Sequence, residues 1–418
     1  MYFFSKILIL NILIFSQHFY PESFRINELA EELSANVDNV FVLTGKPNYP
    51  NGDIYLGYSA FGLQIERQKS FTIFRVPLIP RGKGGAIKML LNYLSFIISA
   101  LFLAPILLRK LNIDVIFVYG TSPLIQGISA IPLRYQFKAK LITWVQDLWP
   151  EDLASTGYIT NKFLLKINEW PARLLYFFSD RILVQSNAFL GPVRRLTSNP
   201  EIYVLPNPAE RHVFFQNRSI EIPKLMDQML GKFNVVFAGN IGNNQSIQTI
   251  IEAAEIIKYH KEIQIIMVGS GSYSERLKQE ISERNLNNLV AVGRYDSEYM
   301  PSIFECSDAL LVTLGAKENL GWTVPCKVQT YMAAGRPIIG SISGEGKLVI
   351  EASGAGLTAD AEDPVGLANC IIQLFGMDSQ SRAVMGNAGR QFAEKNYHPQ
   401  KISQILMDHF KSALGGKG

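Results

Sequence analysis

The chain has 418 residues, room for two large domains at roughly 150 residues each and too many for a small binding module. Apolar residues make up 48% and charged residues 18%, which excludes disorder as the main state. Up to Asn207 there are twenty basic against fourteen acidic residues, and beyond it twenty against twenty-two. That asymmetry is too weak for a nucleic-acid groove, so no nucleic acid is expected, and an anionic membrane face is the better partner for the basic half.

The opening stretch Met1 to Phe15 has the look of a secretion signal, but Ser16-Gln17-His18 offers no small-x-small cleavage site, so Ile7 to Phe15 is read as a buried first strand. Short apolar runs then alternate with helical periods, the pattern of a mainly parallel sheet. Strands are expected near Ile7 to His18, Asn39 to Thr44, Asp114 to Tyr119, Lys140 to Gln146 and Arg181 to Gln185, with a further, antiparallel candidate over Phe71 to Pro77. Met89 to Leu108 holds twenty residues without a charge, flanked by Arg81, Lys83 and Lys88 on one side and Arg109-Lys110 on the other. Lys88, Asn92, Ser95 and Ser99 form a polar stripe at helical spacing, which favours a membrane-surface helix over a buried helix or a span. A span would also place the rest of the first sheet across the membrane.

Leu205-Pro206-Asn207-Pro208 and the polar stretch to about Gly231 read as a linker. A second alternation starts at Phe233 with NVVFAGN, QIIMVGSG, LVAVGRY, ALLVTLG and PIIGSIS, each followed by a helix or loop. The expected fold class is therefore α/β, with two doubly wound Rossmann-like domains facing a central cleft. The apolar face of the helix Ser246 to His260 is read as core packing. Cys306, Cys326 and Cys370 lie far apart with no Cys-x-x-Cys spacing, so neither a disulfide framework nor a metal site is expected, and a cytoplasmic location fits.

Chemistry-bearing residues gather where strands end. After the first strand, Glu22 and Arg25 stand ahead of a helix, either as site residues or as a capping carboxylate with a solvated partner. Trp144-Val145-Gln146-Asp147-Leu148-Trp149-Pro150-Glu151-Asp152 sets carboxylates and indoles at one strand end, suited to a sugar, with Asp147 as orienting group or, alternatively, a helix cap. The turns Gly239-Asn240-Ile241-Gly242 and Gly269-Ser270-Gly271 permit close backbone approach. Neither is a Gly-x-Gly-x-x-Gly fingerprint or a Walker sequence, which weakens dehydrogenase and P-loop readings. In Glu318 to Pro337, Lys327 falls in the first turn of a helix, an unfavourable place for a cation unless it holds an anion.

The segments FSQHFYPESFRINELAEEL, VLTGKPNYPNGDIYLGY, WVQDLWPEDLASTGYI, VLPNPAE, FAGNIGNNQSIQTIIEAA, VGSGS, VGRY and GWTVPCKVQTYMAAGRPIIG resemble, in order and spacing, the retaining family 4 glycosyltransferases of the GT-B fold. Within that family the chain resembles the WbuB-like L-fucosamine (N-acetyl) transferases of surface-polysaccharide synthesis. The resemblance implies an acceptor domain over 1–210, a nucleotide-sugar domain over 211–395 and a helix over 396–418 crossing back to the first. It implies a UDP-sugar co-substrate with no other cofactor, and a membrane-bound undecaprenyl-diphosphate-linked saccharide as acceptor at the cytoplasmic face of the inner membrane. Gly239, Asn240 and Gln245 would approach the diphosphate, Gly269 and Arg294 the nucleoside, and Lys327 and Thr330 the phosphate and ribose. Asp147, Glu22 and Arg25 would face the acceptor and the reacting carbon, with the leaving phosphate taking the acceptor proton.

The chain departs from the family's pattern where two glutamates are usual, reading Trp322 and Thr330, and where basic residues are usual, reading Asn240 and Gln245. Gln146 replaces a histidine. No Asp-x-Asp pair occurs, so the diphosphate charge would fall to Lys327 and helix N-termini. Two other functions fit parts of this pattern: a UDP-sugar 2-epimerase of the same fold, which needs no acceptor, and an exported two-lobed solute-binding protein, which needs a processed signal.

Overall fold

The computed structural model describes residues 10–82, 85–149, 151, 162–215 and 220–415. The expected strand start at Ile7 to Ile9, Lys83, Pro150 and Asp152, and residues 216–219 of the linker lie outside the described residues. Two compact units emerge, one comprising the chain to Leu205 together with the segment from Ser403, the other Pro206–Ile402.

In the first unit, strands β1 (Asn11–Phe15), β2 (Asn39–Thr44), β3 (Gln64–Arg67), β4 (Thr72–Arg75), β5 (Val115–Gly120), β6 (Lys140–Val145), β7 (Arg181–Val184) and β8 (Ile202–Val204) form one sheet in the order β3-β4-β2-β1-β5-β6-β7-β8. All pairings are parallel except β3 with β4. The Phe71 to Pro77 candidate is thus corrected. Its strand runs parallel to β2, and its antiparallel partner is β3, whose QIER sequence holds one apolar residue, Ile65, half-exposed at the sheet edge. β5 is buried at every position, as a strand covered on both faces must be. Helices α1 (Arg25–Ser34), α2 (Ala86–Leu108) and α3 (Lys162–Phe178) pack around it.

Helix α2 is one helix among the described residues long and apolar enough to cross a membrane. Its buried face is mainly apolar, as in an ordinary surface helix, but its exposed face is apolar too. Asn92, Phe96, Ala100, Ala104 and Leu108 are buried at a four-residue spacing, whereas Ile87, Leu90, Leu94, Ile98, Phe102 and Ile106 are exposed. Two residues of the polar stripe, Asn92 and Ser95, dock on the protein, while Lys88 is exposed. Asn92 Nδ2 donates to the Ile79 carbonyl at 2.6 Å, its Oδ1 accepts from Gln17 Nε2 at 2.8 Å, and Ser95 Oγ accepts from the Ile79 amide at 2.9 Å.

In the second unit, β9 (Phe233–Ala238), β10 (Ile263–Val268), β11 (Leu289–Gly293), β12 (Ala309–Thr313), β13 (Ile338–Ser341) and β14 (Gly356–Ala359) form a parallel sheet in the order β11-β10-β9-β12-β13-β14. The order reverses direction at β9, so a crevice opens beyond its carboxyl end. Helix α4 (Ile247–Ile256) buries Ile247, Ile250, Ile251 and Ala254 on the sheet. Helix α5 (Cys326–Ala334) follows β12. The last helix, α6 (Pro399–Ala413), carries Phe410 back onto Phe117 of β5, with ring centroids 5.4 Å apart, and Arg181 donates to the His409 carbonyl and to Ser412 Oγ.

Candidate functional site

In the second unit, α5 is fixed by Tyr331, whose buried hydroxyl donates to the Ala238 carbonyl at 3.1 Å and accepts from the Ala238 amide at 2.9 Å. That anchor ties α5 to the end of β9. Lys327, in the first turn, then lies with Nζ 3.7 Å from the centre of the Phe237 ring and donates to Gln245 Oε1 at 2.6 Å. Among the described residues no carboxylate pairs with it. Burial lowers its pKa from 10.5 to about 7, because the ammonium has lost water without gaining a counter-charge.

Gly239 permits this packing. Its φ is +142°, and a Cβ there would lie 2.6 Å from Lys327 Cε. The next turn abuts it, for a Cβ on Gly269, at φ +143°, would meet the Gly239 carbonyl at 1.8 Å. Asn240 is exposed, with Oδ1 2.5 Å from where a Gly271 Cβ would stand. Gln245 belongs to a short turn strapped to β12, since Thr313 Oγ1 donates to its carbonyl and Gly315 N donates to the Asn244 carbonyl. The structure therefore brings together Gly239, Asn240, Gln245, Gly269 and Lys327. Arg294 stands exposed just past β11, one strand beyond β10, and Thr330 is buried one turn further along α5. A half-buried cation without a counter-charge, two open glycine turns and a helix N-terminus suit a phosphate or diphosphate.

The first unit's carboxyl edge is built differently. Glu22 is buried and all its hydrogen bonds point inward: Oε1 accepts from the Asn48 and Tyr49 amides, both at 2.7 Å, and Oε2 lies 2.9 Å from His18 Nδ1. It caps no helix; α1 starts after Phe24 without a side-chain cap. Arg25 opens α1, half-buried. The His18 ring stacks on Phe24, centroids 4.9 Å apart, and packs against Tyr49. Asn48 Oδ1 accepts from the Arg81 amide at 3.2 Å and from Asn92 Nδ2 at 3.4 Å. Asp147, past the end of β6, accepts the Ser122 amide on Oδ2 at 2.6 Å, so its hydrogen bond goes to the loop after β5 and not to a helix start. Burial raises its pKa, opposed by Ser122.

Asn48 escaped the sequence reading, as did the pairing of His18 with Glu22 and the inward direction of Asn92. Their only signal is polarity at the edges of apolar runs, and a His and a Glu four apart suggest a helix face, whereas these two meet across a loop. Among the described residues no cluster of three or more His, Cys, Asp or Glu could hold a metal ion.

Comparison with known proteins places this geometry. Residues 232–376 match the family model "Glycosyl transferases group 1". The chain is 25% identical to the Probable glycosyltransferase WbjE of Pseudomonas aeruginosa, over 66% of this chain and 70% of that one. It is 24% identical to WcaI of Escherichia coli, a putative colanic acid biosynthesis glycosyl transferase, over 78% and 82%. Among solved structures, sucrose-phosphate synthase of Thermosynechococcus elongatus superposes with a TM-score of 0.75 at 17% identity, over 97% of this chain and 99% of that one. Anabaena HepE in complex with UDP superposes at 0.69 and 14% identity, over 96% and 100%. The fold is GT-B, and the chain is a glycosyltransferase.

Proposed function

We propose that this GT-B glycosyltransferase transfers an N-acetylated amino-deoxyhexose, of the L-fucosamine kind, from a UDP-sugar to a lipid-linked saccharide in surface-polysaccharide synthesis, with retention and without a metal. The observation that carries the donor half is Lys327, an ammonium without a counter-charge among the described residues, held over Phe237 beside two glycine turns. A UDP diphosphate supplies the missing negative charge there, and Gly239, Asn240 and Gln245 lie within its reach. Gly269 and Arg294 would border the nucleoside and Thr330 the ribose. The UDP held by Anabaena HepE agrees with this donor, and the link of WcaI to colanic acid agrees with a surface polysaccharide.

Helix α2 supports a lipid-linked acceptor. Its exposed face is a row of large apolar side chains with Lys88 before it and Arg109-Lys110 after it, a surface suited to the boundary of an anionic bilayer. Asn92 and Ser95 are tied to the protein, which favours a helix lying on the membrane over one crossing it. The protein would then work as a peripheral enzyme at the cytoplasmic face of the inner membrane, with an undecaprenyl-diphosphate-linked saccharide as acceptor.

Calorimetric titration with UDP, GDP and dTDP in excess EDTA, on wild type and Lys327→Ala, tests the donor half. Selective UDP binding that the variant loses is expected. Folded protein that binds none of the three would overturn it. Incubation with UDP-sugar alone tests the reaction, since an epimerised sugar formed without acceptor would replace transfer by 2-epimerisation.

A further inference from the structure

We infer that Arg81 and Lys88, both in the first unit, form a subsite for the diphosphate of a lipid-linked acceptor, with the hydrocarbon chain laid along the exposed face of α2. This rests on the lipid-linked-acceptor reading above and names where the anionic linkage is held. Arg81 stands in the stretch between β4 and α2. Its guanidinium carbon lies 5.3 Å from the centre of the Tyr49 ring and 5.6 Å from that of Tyr93, and Nη2 donates to the Tyr93 hydroxyl at 2.9 Å. Two rings, one hydroxyl and the Met89 sulfur, 3.5 Å from the same nitrogen, fix the group in place. They spend few of its five N–H donors and give it no counter-charge.

Lys88, in the first turn of α2, folds back over the same stretch. Gly82, next to Arg81, has φ +59°, and a Cβ there would lie 3.1 Å from both Lys88 Cδ and Lys88 Nζ. Among the described residues no carboxylate pairs with either cation, and the first turn of α2 holds no acidic residue. A lysine in that turn opposes the helix dipole, and a second cation at the adjoining turn adds to the same excess, so the place asks for an anion.

The turn is built onto the carboxyl edge of the first sheet. Asn48 Oδ1 accepts from the Arg81 amide at 3.2 Å, the Asn48 amide donates to Glu22 Oε1 at 2.7 Å, and the Gly82 amide donates to the Gly52 carbonyl at 2.9 Å. The cations are thereby tied to the loops that follow β1 and β2, where ligands of such sheets bind. From Lys88 onward, α2 exposes Leu90, Leu94, Ile98 and Phe102, an apolar row of about 18 Å at 1.5 Å per residue. A row of that kind starting beside two unpaired cations matches a molecule with an anionic head and a long hydrocarbon tail. A diphosphate there would leave the saccharide over the loops after β1 and β2 and the chain along α2. A phospholipid headgroup, with its single phosphate, would need neither a fixed arginine fork nor its tie to the sheet edge.

The test measures binding of farnesyl diphosphate, farnesyl monophosphate and farnesol to wild type, Arg81→Gln and Lys88→Gln by calorimetry, with UDP affinity as the check on folding. Wild type should hold the diphosphate about tenfold tighter than the monophosphate. Arg81→Gln should weaken diphosphate binding about tenfold and the exposed Lys88→Gln about fivefold, both with UDP affinity unchanged. Equal affinity for diphosphate and alcohol, or diphosphate binding that neither variant alters, would overturn the inference. Loss of binding to phosphatidylglycerol vesicles with unchanged diphosphate binding would assign the cations to bulk phospholipid and overturn it as well. The lipid-acceptor reading fails separately, if wild type transfers from UDP-N-acetyl-fucosamine to water-soluble saccharides and never to butanol-extractable lipid.

Discussion

The carboxyl edges of the two sheets treat charge in opposite ways. In the second unit a lysine stands without a counter-charge among the described residues, and glycine turns clear space around it. In the first unit the carboxylates are already engaged, Glu22 by two amides and His18, Asp147 by Ser122. An unpaired, half-buried cation is tolerable where an anion will bind. The contrast teaches that charged residues at matching strand ends can stand unpaired on one sheet and be consumed by internal scaffolding on the other.

The strongest way to break this comparison is Lys327→Ala. If Lys327 is the diphosphate cation, UDP affinity should fall by about 100-fold, near 3 kcal/mol, as for truncating one partner of a desolvated charge pair, and calorimetry in EDTA reads it. A change of about twofold or less would leave the second unit's edge without its distinguishing feature.

Gly269→Ala probes the space between the glycine turns. A side chain at φ +143°, with its Cβ 1.8 Å from the Gly239 carbonyl, forces the turns apart, and a loss of about 3 kcal/mol in urea unfolding is expected from the backbone strain. Unchanged stability would mean that the turns do not touch.

Helix α2 sharpens the contrast within one element. Asn92→Leu strands the Ile79 carbonyl and the Gln17 amide, and should destabilise by about 2 kcal/mol. Phe102→Ser, on the exposed face, should leave unfolding nearly unchanged and weaken sedimentation with anionic vesicles about tenfold, the value of one apolar side chain at an interface. Equal vesicle binding by wild type and Phe102→Ser would remove the membrane role of this face.

The smallest effect is protonic. With a pKa of about 7 in the free protein, Lys327 is largely neutral above that pH, so UDP binding should take up a proton and weaken by up to about tenfold per pH unit on the alkaline side. The stability of the free protein carries the matching sign. An unfolded lysine stays protonated up to about 10.4 while the folded one does not, so this group makes the fold more stable as pH rises from about 7 through that window. Calorimetry in buffers of different ionisation heat measures the proton; identical heats at about pH 8, above the folded pKa, would show that Lys327 is already charged.

Much of this was legible beforehand. The apolar runs marked both sheets because a strand covered on two faces must be apolar, and β9, β10 and β12 stand where NVVFAGN, QIIMVGSG and ALLVTLG place them. Lys327 stood out because a cation in a helix's first turn contradicts the local dipole. β3 was invisible because QIER has no buried run to betray it. The stripe on α2 was visible, but its direction was not, since a polar stripe usually faces water and Asn92 and Ser95 of this one are consumed by Ile79 and Gln17. Glu22 was found for the wrong partner, because its bonds go to amides more than twenty residues away.

The alternation of elements, the two sheets and the odd lysine all follow from local periodicity and local electrostatics. Only the tertiary structure decided that Lys327 lies over Phe237, that α2 turns an apolar face outward, and that His18 is held by Glu22. Each depends on hydrogen bonds and packing between segments far apart in the chain, and no local pattern encodes which distant amide or ring will be the partner.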